Sequence, residues 1–232
     1  MTAIDVASRL GFHGGMKHFV AVAFAWGLAV GVSAQAMAGT LEDIRGRGVV
    51  TCAVPADAPG VAEKKNGQRS GLAIDLCAVL AAAVTGHATN VAFVDVADND
   101  GIVSLQAGEA DVLFAPAQWS FAQEVNDGVM LLEPLLKRDS DGKVFGPMLR
   151  QGDDAWFVTL RWLLEALRKD PNSLPPEAAE QGVTQLGLAA GWTERVAAAS
   201  KTYDQLLQSH MSSLQGAGWS VVPAPDGMRF GP

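Results

Sequence analysis

The sequence predicts an α/β fold built on a mostly parallel sheet, and three observations carry that reading. Residues 48–55 (GVVTCAVP), 90–96 and 110–115 are short, apolar runs rich in β-branched side chains and bounded by turn residues, the pattern of buried strands. Residues 72–84 are rich in Ala and Leu and stop just before Gly86, as a helix with a C-terminal glycine does. Residues 99–106 form a shorter helical stretch halted at Gly108. The resulting β-α-β-α-β order implies parallel strands joined by right-handed crossovers. Ligands of such sheets bind beyond the carboxyl ends of the strands. Three loops lie there: 55–59, 97–99 and 115–120.

The remaining elements follow in order. Residues 56–70 are polar with Gly and Pro, and are expected as a loop. Residues 129–136 are another strand-like apolar run. Residues 137–143 (KRDSDGK) are purely polar and are expected as a linker, after which 144–150 re-enter the sheet. Residues 153–169 carry Trp156, Phe157, Leu160, Leu163, Leu164 and Leu167 on one face, with Asp153 and Asp154 leading and Arg168 and Lys169 trailing. That is an amphipathic helix with charges matched to its dipole. Pro171, Pro175 and Pro176 end it. A last helix is expected over 203–214, with Tyr203, Leu206, Leu207, Met211 and Leu214 inward.

Composition narrows the function classes. The 232 residues include 25 acidic and 17 basic side chains, a net charge of −8, which argues against nucleic-acid binding because an acidic chain repels phosphate. Hydrophobic residues make up 49%, enough to bury a core. Two cysteines exclude a four-cysteine zinc site and a disulfide-dense miniature scaffold. The histidines are His13, His18, His87 and His210, with no H-x-x-x-H or H-E-x-x-H spacing. No G-x-S-x-G and no phosphate loop is present. The acidic pairs Asp98/Asp100 and Asp153/Asp154 suit helix N-termini better than an acid–base couple. No catalytic residue, metal or cofactor is therefore expected, and the chain is not read as an enzyme.

Residues 1–38 read as a secretory signal. Lys17 and His18 precede an uncharged run, 19–38, that ends in Ala36-Met37-Ala38, an A-x-A cleavage pattern. Met16 serves as well as Met1 as the start of such a signal. The rival reading is a retained membrane anchor, since about 20 apolar residues suffice to span a bilayer. Export places the rest of the chain in the periplasm, an oxidising compartment where Cys52 and Cys77 are expected to pair; two buried free thiols are the alternative.

Several segments resemble one family. GTLEDIRGRG at 39–48 with the following VVTCAVP, Ser70-Gly71 with Asp75-Leu76-Cys77, LQAGEADVL at 105–113, GPMLRQGDDAWFVTLRW at 146–162, LAAGW at 188–192 and Tyr203-Asp204 together resemble family 3 periplasmic solute-binding proteins, in particular the general L-amino-acid-binding branch of ABC transporters. That branch also carries one cysteine on the first strand and another on the first helix. The resemblance implies one lobe, the first, of a type II periplasmic binding protein. Residues 39–136 form its N-terminal part and 144–232 its C-terminal part, with the 137–143 linker standing where the family inserts a second lobe.

The resemblance also marks a former ligand cleft at Asp57, Gln118, Trp119, Ser120 and Gln123. The family places an Arg for the substrate carboxylate where this chain has Gln123, which has no charge to offer. Ser120 and Gln123 also spell S-x-x-Q, a helix capping box, and that local role is the preferred one. Two functions are weighed. One is an amino-acid-binding-protein-like component of an ABC system, partnered by its permease, with free amino acids bound poorly. The other is a non-transport accessory subunit of a periplasmic complex, for example a partner of a quinoprotein dehydrogenase. In the second case the strand-end residues Pro55, Pro59, Pro116, Trp119 and Phe121 form an exposed apolar docking patch with Trp119 central, unless Trp119 fills the space beneath the 153–169 helix.

Overall fold

A computed structural model describes residues 39–97, 100–200 and 202–224. The leader reading and residues 98–99 of the expected 97–99 loop lie outside the described residues. Helix α1, Thr40–Arg47, was not foreseen as a helix; acidic Glu42 and Asp43 open it, Arg45 and Arg47 close it, and Gly48 ends it in the left-handed conformation. Strand β1 (Val50–Pro55), helix α2 (Leu72–Thr85), strand β4 (Val91–Val96), helix α3 (Asp100–Gln106) and strand β5 (Val112–Phe114) match the expected order. β1 pairs in parallel with β4 on one side and β5 on the other.

The loop expected at 56–70 contains a hairpin, β2 (Glu63–Lys65) and β3 (Gln68–Ser70). Its turn is Asn66-Gly67 with φ of 52° and 80°, the paired positive angles of a type I′ turn, a signal missed because the flanking strands are polar. Arg69 holds the hairpin to β4 by pairing with Asp95 at 2.5 Å and lying over the Phe93 ring.

After helix α4 (Phe121–Asp127), the strand-like run at 129–136 proves to be two strands, β6 (Val129–Leu131) and β7 (Leu136–Arg138). The stretch expected as a linker is therefore not purely connecting chain. Arg138 ends β7, residues 139–142 turn, and β8 (Val144–Phe145) pairs back on β7 antiparallel. Polarity misled here because β7 borders solvent, so Lys137 is exposed while Leu136 is buried. Strand β9 (Pro147–Arg150) then enters the main sheet between β5 and β6, antiparallel to both. The sheet order is β4-β1-β5-β9-β6, mixed but with a parallel centre. Gly146, between β8 and β9, lies so close to the Glu133 carbonyl that a Cβ there would collide with it.

The C-terminal part is helical: α5 (Asp154–Arg168), a 3₁₀ turn (Pro171–Ser173), α6 (Pro176–Thr184), α7 (Trp192–Ser200) and α8 (Tyr203–Gly216). Strand β10 (Trp219–Val221) then joins β7 and β8 in a small second sheet. Asp153 caps α5 by accepting from the Trp156 amide at 3.2 Å. Thr202 and Gln205 form a full capping box on α8. Of the α5 face foreseen from the sequence, Phe157 alone is only half-buried, and Met211 is the half-buried member of the α8 face.

The main sheet divides the apolar core in two, and alternation along its strands decides which side chain goes where. Val50, Cys52 and Val54 of β1, Val112 and Phe114 of β5 and Leu149 of β9 join the larger cluster, covered by α1, α2, α5, α7 and α8. Ala53, Leu113 and Met148 point the other way, into a small cluster with Val96, Leu105, Ala110, Ala115 and Val129. Cys52 and Cys77 form a disulfide joining β1 to α2 on the larger side. Trp156 is buried there and donates its indole N–H to the Asp111 carbonyl at 2.9 Å. The Asp111 carboxylate, itself buried, accepts from the Thr51 amide at 2.7 Å and pairs with Arg47, tying α1 to the sheet. Burial nonetheless pushes the Asp111 pKa up, because desolvation outweighs those hydrogen bonds. Among the described residues no helix is long and apolar enough to cross a membrane.

Candidate functional site

The thin side of the sheet leaves a cavity of about 330 Å³ at the carboxyl ends of the parallel strands. Helix α3 contributes Ile102, Val103 and Gln106, and the sheet contributes Leu113 and Met148 as its floor. The segment leaving β5 supplies Ala115 to Gln118, α4 supplies Gln123 and Asp127, and the β7–β8 turn supplies Lys143. This is where a ligand is expected in an α/β sheet, and the volume falls at the small end of ligand pockets, roughly 300–1,000 Å³.

The five residues marked from the sequence divide. Gln118 and Gln123 line the cavity. Ser120 does not; it is the N-cap of α4, and its hydroxyl accepts from the Gln123 amide at 3.2 Å. The Ser120 half of the expected box is thus recorded, while Gln123 itself borders the cavity. Asp57 is exposed on the loop after β1 and is not part of the lining. Trp119 is half-buried against the small cluster, neither fully exposed nor beneath α5.

The expected docking patch also changes its members. Pro55, the last residue of β1, and Pro116, two residues beyond β5, are buried, while Pro59 is exposed. The large apolar side chains that do face solvent on this side are Phe121, 83% exposed, Val125, 57%, and Val103, 61%. Phe121 and Val125 stand one helical turn apart on α4.

Lys143 was missed by sequence reasoning because it closes a segment read as a linker. The structure ties that segment down. Arg138 makes two bonds to the Asp141 carboxylate at 2.9 and 2.5 Å, and Asp141 accepts from the Lys143 amide at 3.1 Å. These bonds, the Arg138 hydrogen bond above all, hold the Asp141 pKa down to about 2. Val144 exchanges both backbone bonds with Ala117, at 2.8 and 2.9 Å, so the turn is fastened to the segment that carries Gln118. His210 of α8 bonds Asp75 of α2 at 2.7 Å and links the two helices. Among the described residues no group of His, Cys, Asp and Glu has the arrangement of a metal site.

No family model matches the chain. Comparison with characterised sequences does find relatives. The chain is 30% identical over 115 residues to YhdW of Escherichia coli, which is 49% of this chain and 34% of that protein. It is 36% identical over 98 residues to the general L-amino acid-binding periplasmic protein AapJ of Rhizobium johnstonii, 42% of this chain and 28% of AapJ. It is 33% identical, again over 98 residues, to the glutamate/glutamine/aspartate/asparagine-binding protein BztA of Rhodobacter capsulatus, 29% of whose length is matched. The matches thus span about a third of the length of these relatives.

Solved structures share the fold at low identity. A periplasmic binding protein of an ABC transporter from Brucella ovis, with glutathione bound, superposes with a TM-score of 0.64 at 16% identity, over 75% of this chain and 91% of that one. The solute receptor for L-cysteine of Neisseria gonorrhoeae gives 0.53 at 12% identity, over 78% and 99%. Over about half of its length the chain is thus similar to proteins named as amino-acid-binding proteins, and it shares the fold of periplasmic binding proteins.

Proposed function

We propose that this chain is a periplasmic amino-acid-binding-protein-like component of an ABC transport system, reduced to the first lobe and weak or altered in ligand binding. It works by capture rather than catalysis, is exported by the leader at 1–38, and has the ABC permease as its natural partner. The observation that carries this reading is the cavity at the strand ends, bordered by Gln118 and Gln123 from the segment that the relatives' resemblance marks as the ligand segment. Residues 139–142, which stand where a second lobe would be inserted, form a closed turn. Without a second lobe to close over it, the cavity leaves part of a small zwitterion in water, whereas tight pockets bury most of the ligand surface.

Calorimetric titration of the purified protein with a panel of L-amino acids tests this. Dissociation constants in the millimolar range or weaker are expected, about −4 kcal/mol or less favourable. A micromolar constant for any common amino acid overturns the weak-binding reading.

A second reading has its own observation. Phe121, Val125 and Val103 expose apolar surface around the same cavity, as an accessory subunit docking onto a periplasmic complex would require. A pull-down from periplasmic extract with wild-type and Phe121→Ser protein separates the two: loss of a captured partner in the variant supports docking, and the same captured set from both proteins removes it.

A further inference from the structure

We propose that the strand-end cavity takes an amine that carries no carboxylate, with Asp127 as the group that binds its ammonium. The inference deepens the reading of that cavity as the ligand site and rests on it. Among the described residues lining the cavity, Asp127 is the one acid and Lys143 the one base. Lys143 is already engaged: it has a partner of its own, and its charge acts on Asp141 within the β7–β8 turn. Where the resemblance calls for an arginine, the chain has the neutral Gln123. A ligand carboxylate entering here meets no free counter-charge and one like charge, and an unpaired charge removed from water is costly. An ammonium meets the opposite situation. Among the described residues the Asp127 carboxylate has no hydrogen-bond or ion-pair partner, so it is open to a cation. An ammonium brings three donors and no acceptor, and Gln106, Gln118 and Gln123 line the same cavity with amides whose oxygens accept. Ile102, Leu113 and Met148 supply apolar wall for the carbon chain.

Asp127 is held through its backbone. It is the last residue of α4, and Gly128 ends that helix in the left-handed conformation at φ 59°. The Asp127 carbonyl accepts from the Gln106 side-chain amide, which ties α4 to α3, the two helices that border the cavity. The Gly128 carbonyl accepts from the Gln151 amide at 2.9 Å, and the Gln151 side chain donates to the Glu124 carbonyl at 2.7 Å. A carboxylate on a backbone fixed in this way spends less conformational entropy on binding than one on a free loop. None of these bonds uses the Asp127 side chain, so replacing it leaves the helix end intact.

The test is a set of titrations on ¹⁵N-labelled protein followed by NMR, which reads millimolar affinities and shows in the same spectra that each variant is folded. The probes are leucine, 3-methylbutylamine, which is leucine without its carboxylate, and 4-methylpentanoate, which is leucine without its ammonium. Wild type is expected to bind the amine about tenfold more tightly than leucine, with shifts at 117–123 and 127, and to bind 4-methylpentanoate most weakly. Asp127→Asn should weaken the amine about tenfold and bring it level with leucine, while Asp127→Glu stays within about threefold of wild type. Glu124→Gln removes the same charge one turn earlier on α4, outside the cavity lining, and should leave the amine within about twofold. Leucine bound as tightly as the amine by wild type, or an equal loss of amine binding in Asp127→Asn and Glu124→Gln, overturns the role of Asp127 while leaving the cavity as the ligand site. Absence of shifts at 117–123 with all three probes overturns the site and this inference together.

Discussion

The two faces of the main sheet were made by the same strands and ended differently. Along β1, Cys52 and Val54 enter a cluster roofed by several helices, while Ala53 between them enters a cluster of eight buried residues. The thick side owes its cover to long amphipathic helices, α2 and α5 above all, whose apolar faces have nowhere else to go. The thin side has α3 and α4, seven residues each, and α4 buries none of its side chains. The difference teaches where function has room. A fully roofed sheet face has no vacancy for a ligand, whereas a face covered by two short helices keeps an opening between them.

The largest expected effect tests the thick side. Trp156→Ala removes a fully buried side chain and orphans the Asp111 carbonyl it donates to. The cost is expected at about 3–5 kcal/mol, read as a lower urea midpoint with an unchanged slope. A loss below about 1 kcal/mol would mean that α5 does not anchor the core, and the contrast between the faces would collapse.

The disulfide comes next. Cys52 and Cys77 enclose a separation of 25 residues between β1 and α2. Replacing both by Ala is expected to cost about 3 kcal/mol in the chain-entropy account. Mass spectrometry of unreduced periplasmic protein checks the bond itself, and two free thiols per chain would refute it. No comparable staple serves the thin side, so hydrogen exchange in α3 and α4 should stay the same in the double variant while that in α2 rises.

How much of this was legible follows from the same contrast. The α5 face, the β1-β4-β5 pattern and the cysteine pair were readable because burial imposes periodicity, and periodicity survives in sequence. The α4 cap was readable because Ser120 and Gln123 need only local geometry. Helix α1 was not, since its buried residues are just Thr40, Leu41 and Ile44 among charged neighbours. The β7–β8 turn was misread as a linker because, beside the local Arg138–Asp141 pair, it is held by Ala117 and Trp219, which are remote in sequence. Within the candidate site, Gln118 and Gln123 were found through resemblance, and Lys143 could be found only once the chain was folded. Asp57 and Trp119 were placed at the cleft by their loops, but a loop's address does not fix which way its side chains pack.

The smallest expected effect tests the thin side. Phe121 is 83% exposed at the first position of α4 and contributes to neither cluster. Phe121→Ser should therefore change stability by no more than about 0.5 kcal/mol, as exposed substitutions do. The Ser120 cap is retained, since its bond goes to the Gln123 backbone. The measurement is again the urea midpoint, on the same protein as Trp156→Ala, so two aromatic truncations are compared on one scale. If Phe121→Ser costs more than about 1 kcal/mol, α4 packs more tightly than its exposure implies, and the cavity beside it is part of the core. If the cost is near zero, the side chain is exposed for a reason other than folding. A phenylalanine this exposed adds little to the core, and its apolar ring is stabilised only when something covers it.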